Sequence, residues 1–240
     1  MNAAEIQGVR LDEVAKDSQG FVSGFDGKGG QRGFLTATRP ADVHRRPVLR
    51  ASHCVANRVF VEPAGTTEVI WVDSALGSSA EAKLSAWFGE SGRQKLALRR
   101  EVQTDRMPWY RLHWPRRRAD MTQPKLVVPR RASESLFCLD LSASMVSSDC
   151  TYLTAPSDVD EPVEYLIRLM LLLNSAVVRD QFIAHGKRKG DIFEFYAGPL
   201  RRLIVPQYER GSIPQRELEV RVERAVAALR RGVLGYLDLK

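Results

Sequence analysis

The sequence predicts an α+β protein, a mixed-sheet domain of short strands and helices closed by an amphipathic C-terminal helix. Short β-branched or aromatic runs, bounded by proline, glycine and small polar residues, recur along the chain. Helical patterns are interspersed among them in no alternating order, and 44% of the 240 residues are apolar, enough for a packed core. No internal repeat and no low-complexity tract interrupts this pattern. The expected organisation is one large domain over 1–206 and a helical extension over 207–240.

Each element has a local reason. Residues 1–46 are glycine-rich, and SGFDGKGGQRGF at 23–34 reads as a mobile loop between short strands. A loop is a better reading than the alternative of a phosphate cradle, because no apolar strand leads in, no helix pattern follows and no GK[ST] closes it. Runs 58–62 (RVFVE) and 68–73 (EVIWVD) predict strands joined by a turn. Ser78 and Ser79 precede a helical pattern over 80–102, with Leu84, Trp87 and Phe88 on one face and Gly89 and Gly92 as candidate breaks. The aromatic cluster WYRLHW at 109–114, with Trp109, Tyr110 and Trp114, is assigned to the core in preference to the alternative of base-stacking platforms. Strands are expected at 124–129 (PKLVVP), 136–141 (LFCLDL) and 150–153 (CTYL). Pro162, a favoured first-turn residue, opens one helix running to Phe182 that is apolar nearly all round and so central. A basic loop at 185–190 (HGKRKG) and strands at 192–196 and 203–205 follow. After Pro214, Leu218, Val222, Val226 and Leu229 recur at helical spacing above a charged face.

Charge is concentrated rather than spread. The chain carries +7, but residues 93–131 hold twelve lysines and arginines against Glu101, Asp105 and Asp120, a local +9 that leaves the remainder near −2. Such a stretch suits a solvated basic face or a polyanionic partner, since lysine and arginine replace the counterions condensed on phosphates. Three cysteines without CxxC spacing argue against a disulfide framework and a zinc knuckle. His44, His53, His113 and His185 are scattered, so no metal site is expected. The N-terminus has no signal-peptide pattern, and the most apolar segment, 166–173, is interrupted by Arg168 and too short to span a bilayer. The expectation is a soluble cytoplasmic protein with no membrane partner.

With these segments in place a family resemblance is visible. Trp109-Tyr110-Arg111-Leu112-His113-Trp114-Pro115-Arg116, followed by Pro124-Lys125-Leu126-Val127-Val128-Pro129, resembles the "WYELHWPR … KPKIVVP" run of the TaqI-like C-terminal specificity domain. Leu171-Leu172-Leu173-Asn174-Ser175 is similar to its "LLNS" helix, and residues 186–206 (GKRKGDIFEFYAGPLRRLIVP) to its closing "G…FEF…PLRRIPIP" segment. Residues 148–153 (SDCTYL), Gln7-Gly8-Val9 and Pro47-Val48-Leu49-Arg50 fit further family segments in order. That domain is the target-recognition part of N6-adenine DNA methyltransferases and fused type IIG restriction–modification enzymes. The resemblance implies sequence-specific binding of double-stranded DNA. The chain has no Pro-Pro pair, hence no (N/D/S)PP(Y/F) catalytic motif, and no glycine loop fit for S-adenosylmethionine. It therefore implies a recognition module with no catalytic residues and no cofactor of its own. S-adenosylmethionine and catalysis would belong to a partner, a DNA methyltransferase or restriction–modification subunit.

The DNA-contacting candidates follow from charge and spacing. Arg116, Arg117, Arg118, Arg130 and Arg131 flank a proline-bounded strand, and Lys187, Arg188 and Lys189 form a second basic loop between Gly186 and Gly190. Lys28 and Arg32, with Gln31, sit in the glycine-rich segment. For each of these a solvated surface remains the alternative. Two other classes of function stay open: a metal-dependent nuclease using Asp73, Glu81 and Lys83, although Glu81 and Lys83 begin a helix, and an assembly protein docking through its C-terminal helix over 214–240.

Overall fold

The strand Lys125–Pro129 is the middle of a five-stranded sheet in which it lies between Cys150–Thr154 and Cys138–Asp140, with Lys16–Gln19 and Val59–Phe60 at the edges. This computed structural model describes residues 7–27, 32–36, 44–60 and 67–232. All five positions of Lys125–Pro129 and all five of Cys150–Thr154 are buried, which is why the run PKLVVP is continuous rather than alternating. Pairing is antiparallel through the centre, Tyr152 opposite Val127 and Leu126 opposite Leu139, with one parallel pair, Val59 opposite Leu139, at an edge. The architecture is α+β, as the sequence predicts.

The chain divides into two compact units. The first contains this sheet and comprises Met1–Gly20, Leu49–Val61 and Ala119–Lys240; the second comprises Phe21–Val48 and Glu62–Arg118.

In the first unit the helix Pro162–Leu173 fills the core, and Leu166, Ile167, Met170 and Leu173 have no exposure. At roughly 25 cal/mol per Å² of apolar surface, each such side chain stabilises the fold by about 1.5–3 kcal/mol. The single helix expected to reach Phe182 is instead two, because the chain leaves helical geometry at Asn174 and Ser175 and restarts as Ala176–His185. The reason lies in Asn174. Its side chain accepts from Phe137 N at 3.0 Å and donates to Phe137 O at 2.8 Å and to Asn57 Oδ1 at 2.9 Å. These bonds satisfy the backbone of Phe137, which leads into the sheet and is itself fully buried. Asn174→Ala removes all three and leaves polar atoms unpaired; a loss of about 2–4 kcal/mol is expected in urea unfolding. A loss below about 1 kcal/mol would show that water replaces the amide.

Gly8–Arg10 pairs antiparallel with Ile204–Pro206. A Cβ at Gly8 would lie 2.2 Å from Val205 O, so glycine is required there for close approach. The helix Ile213–Arg230 starts at Ser212, whose side chain accepts from Gln215 N. It packs on Pro162–Leu173 through Val222 and Ala225, and Arg168 forms a two-pronged ion pair with Glu219. Cys54, Cys138 and Cys150 are buried free thiols, and contact with Cys54 together with burial holds the Cys138 thiol well above its ordinary value.

In the second unit Glu68–Ile70 lies between Leu35–Thr36 and Arg45–Leu49, antiparallel to both. The helix Ser78–Ala97 is broken at Gly89, whose φ of 65° is left-handed, whereas Gly92 stays helical and packs beside Phe88. Phe88, Phe34 and Phe25 gather there, with Phe34 rings 4.9 Å from Phe88. Phe34 N donates to Phe25 O at 2.9 Å. Phe25 and Phe34, near the two ends of the glycine-rich segment read as a mobile loop, are thus tied to each other; residues 28–31 lie outside the described residues. No helix among the described residues is long and apolar enough to cross a membrane.

Candidate nucleic-acid interface

The strand Lys125–Pro129 delivers the chain to Arg130, which passes at once into Arg131–Ala132. This short strand is one edge of an antiparallel ribbon whose middle is Ile192–Glu194 and whose other edge is Arg188–Lys189. Phe193 faces Ala132 on one side and Arg188 on the other; Glu194 faces Arg131 and Ile192 faces Lys189. The segment expected to be only a basic loop thus contains a strand. Gly190, at φ 59°, and Asp191 form its two-residue turn, the geometry in which a glycine at positive φ matches strand twist. Phe193 is buried against Phe182, and Phe195 has no exposure. The ribbon is anchored by these rings, and Arg188 and Lys189 are exposed.

Two residues that sequence reasoning did not single out organise the charges. Glu194 is nearly buried, with Lys187 Nζ 2.8 Å and Arg131 3.6 Å from its carboxylate. The hydrogen bond from Lys187 holds its carboxyl below the ordinary range, helped by the charges of Lys187, Arg131 and Lys189 against the opposing effect of burial. The Tyr196 ring carries the Arg130 guanidinium 4.2 Å from its centroid, with Arg131 and Lys187 each at 5.9 Å. Such stacking contributes about 0.5–2 kcal/mol and limits the rotamers of a long side chain. Arg130 N donates to Asp149 O at 2.8 Å and Phe195 N to Arg130 O at 2.9 Å, so the backbone at Arg130 is fixed as well. Five cations, Arg130, Arg131, Lys187, Arg188 and Lys189, share this ribbon with two carboxylates, Glu194 and Asp191. Arg188 and Lys189 have no ion-pair partner among the described residues. Pre-oriented guanidinium and ammonium groups beside exposed ones suit a row of phosphates or a base edge.

The other candidates lie in the second unit. Arg32 stacks 4.6 Å over Trp87, whose indole donates to Gly33 O at 3.1 Å. Arg116, Arg117 and Arg118 are exposed, with Arg116 at φ 64°; Arg118 opens the short helix Arg118–Thr122. Lys28 lies outside the described residues.

Not every charge of the dense run 93–131 faces solvent. Lys125 is fully buried and sits 2.5 Å from Asp140, its register partner across the sheet. Burial lowers the Lys125 ammonium and Asp140 opposes that shift. Arg99 is structural too: it donates to the carbonyls of Leu96, Trp109 and Arg111, and burial lowers it to about 10. Trp114, expected in the core, is 51% exposed, whereas Tyr110 is buried. Asp73 and Glu81, the carboxylates of the nuclease alternative, accept the indole N–H groups of Trp71 and Trp109 at 2.8 Å each. Among the described residues no group of three histidines, cysteines or carboxylates is placed to hold a metal.

No family model matches the sequence, and no curated protein matches it. Solved structures do match the fold. One of them is a type IIL restriction–modification enzyme, MmeI, solved in complex with DNA, to which this chain is similar with a TM-score of 0.55 at 12% identity. The likeness covers 96% of this chain and 30% of that one, so the chain spans under a third of the neighbour's length. At that identity the likeness is one of fold.

Proposed function

We propose that the chain binds double-stranded DNA as the target-recognition module of a DNA adenine methyltransferase or restriction–modification system. A partner chain supplies S-adenosylmethionine and the chemistry, and this chain supplies grip and sequence choice. The observation that carries the reading is the ribbon Arg131–Ala132, Ile192–Glu194 and Arg188–Lys189, where Arg130, Arg131 and Lys187 converge on Tyr196 and Glu194 beside the exposed Arg188 and Lys189. Its hairpin, Arg188–Lys189 with Ile192–Glu194, is two-stranded, the width that enters the major groove, and arginine to guanine is the commonest base-specific contact there. Arg130, Arg131 and Lys187, already held in place, suit phosphate contacts that fix register; Arg188 and Lys189 at the hairpin suit base edges. The fold likeness to an enzyme solved with DNA supports the same reading, as does the run of motifs resembling the specificity domain.

Salt titration tests it. With about six to ten phosphate contacts, affinity for a duplex falls by about 10³–10⁵ between 50 and 200 mM salt. A gel-shift titration that stays flat over this range removes the proposal.

A further inference from the structure

Three of the four tryptophans are committed to the fold. The indole N–H groups of Trp71, Trp87 and Trp109 donate to Asp73, Gly33 O and Glu81. Trp114 differs on every count. It is 51% exposed, and its indole N–H has no acceptor among the described residues. Yet its backbone is held: Trp114 N donates to Val22 O at 3.0 Å and Val22 N to Trp114 O at 2.9 Å. Leu112, two residues earlier, has no exposure. The His113 ring meets the indole edge-on at 4.6 Å, and the Arg116 guanidinium lies 5.6 Å from its centroid. A large apolar plane is therefore rigidly presented to solvent beside three exposed arginines, Arg116, Arg117 and Arg118.

We propose that Trp114 is a stacking platform for a DNA base that has lost its neighbour, with Arg116–Arg118 holding the adjoining phosphates. The inference rests on the DNA-binding reading and adds a ligand class to it. In an intact duplex each interior base is covered on both faces, so an indole plane has no base face to meet. An unpaired or displaced base offers one, and aromatic stacking on such a base is sequence-tolerant and strong enough to be measured, about tenfold in affinity or more. Nearby arginines supply both phosphate contacts and cation–π support.

The test uses the whole chain and two short duplexes, one fully paired and one with a central abasic site that leaves an adenine analogue, 2-aminopurine, unpaired. The expected result is about tenfold tighter binding to the abasic duplex, with 2-aminopurine fluorescence quenched on binding. Trp114→Ala abolishes the preference and the quench while keeping affinity for the paired duplex; Trp114→Phe keeps most of both. Equal preference and quench in Trp114→Ala overturn the platform and leave the DNA reading standing. Failure of the unmodified chain to bind either duplex overturns the DNA reading itself.

Discussion

Asp140→Ala is expected to destabilise the first unit by about 3–5 kcal/mol, because it strands a buried ammonium. Lys125 and Asp140 both have no exposure and face each other across the sheet. Asp140 also accepts from Ser142 N at 2.8 Å and Ser142 Oγ at 2.6 Å, which hold its carboxylate toward the lysine. Without the carboxylate, the lysine must lose its proton or draw water into the sheet, and either is costly. Total stability of a domain is commonly about 5–15 kcal/mol, so roughly a fifth or more would be lost. The midpoint of thermal unfolding should drop by on the order of 10 °C. The double variant Lys125→Met, Asp140→Leu should recover most of this, since two apolar side chains of similar volume need no pairing. Calorimetry on the three proteins decides it: a drop of only a degree or two for Asp140→Ala would mean that the pair does not stabilise the sheet.

Neutralising the ribbon should have the largest effect on binding. Arg131, Lys187, Arg188 and Lys189 each changed to glutamine keep length and hydrogen-bonding capacity, so Glu194 retains partners. Arg131 and Lys187 are the proposed phosphate contacts among them, and losing these two lowers the slope of log affinity against log salt by about 1.8. Affinity at low salt should then fall by on the order of 10²-fold, and any duplex should be weakened to a similar degree wherever the contact is to phosphate. Fluorescence anisotropy across a salt series reads both quantities. An unchanged slope would place the phosphate contacts elsewhere in the chain.

The elements most legible in the sequence were those with a single physical cause. A continuous apolar run such as PKLVVP has one stable home, the middle of a covered sheet, and Lys125–Pro129 is there. The helix after Pro162 was legible for the same reason. Its break was not, because LLLNSAVV keeps helical apolar spacing across Asn174, and the cause is an amide reaching Phe137, far away in sequence. Lys125 counts in sequence as one more charge of the basic run 93–131, and its buried partner Asp140 becomes visible only through strand register. The charges of the candidate interface were legible; their organisers were not. Glu194 and Tyr196 sit in an ordinary-looking FEFY, more than sixty residues beyond Arg130, and only the Arg131–Glu194 pairing brings them to it. Trp114 was misjudged because its neighbours Trp109 and Tyr110 share its composition but not its exposure.

The three thiols of the first unit give the molecule a built-in clock. Cys54, Cys138 and Cys150 are 6%, 1% and 0% exposed, and the Cys138 thiol is held against ionisation. Only the thiolate reacts with an alkylating reagent, so the folded chain is closed to that chemistry. Modification then proceeds no faster than the sheet opens, and the rate of label uptake becomes a measure of how often the core comes apart under native conditions.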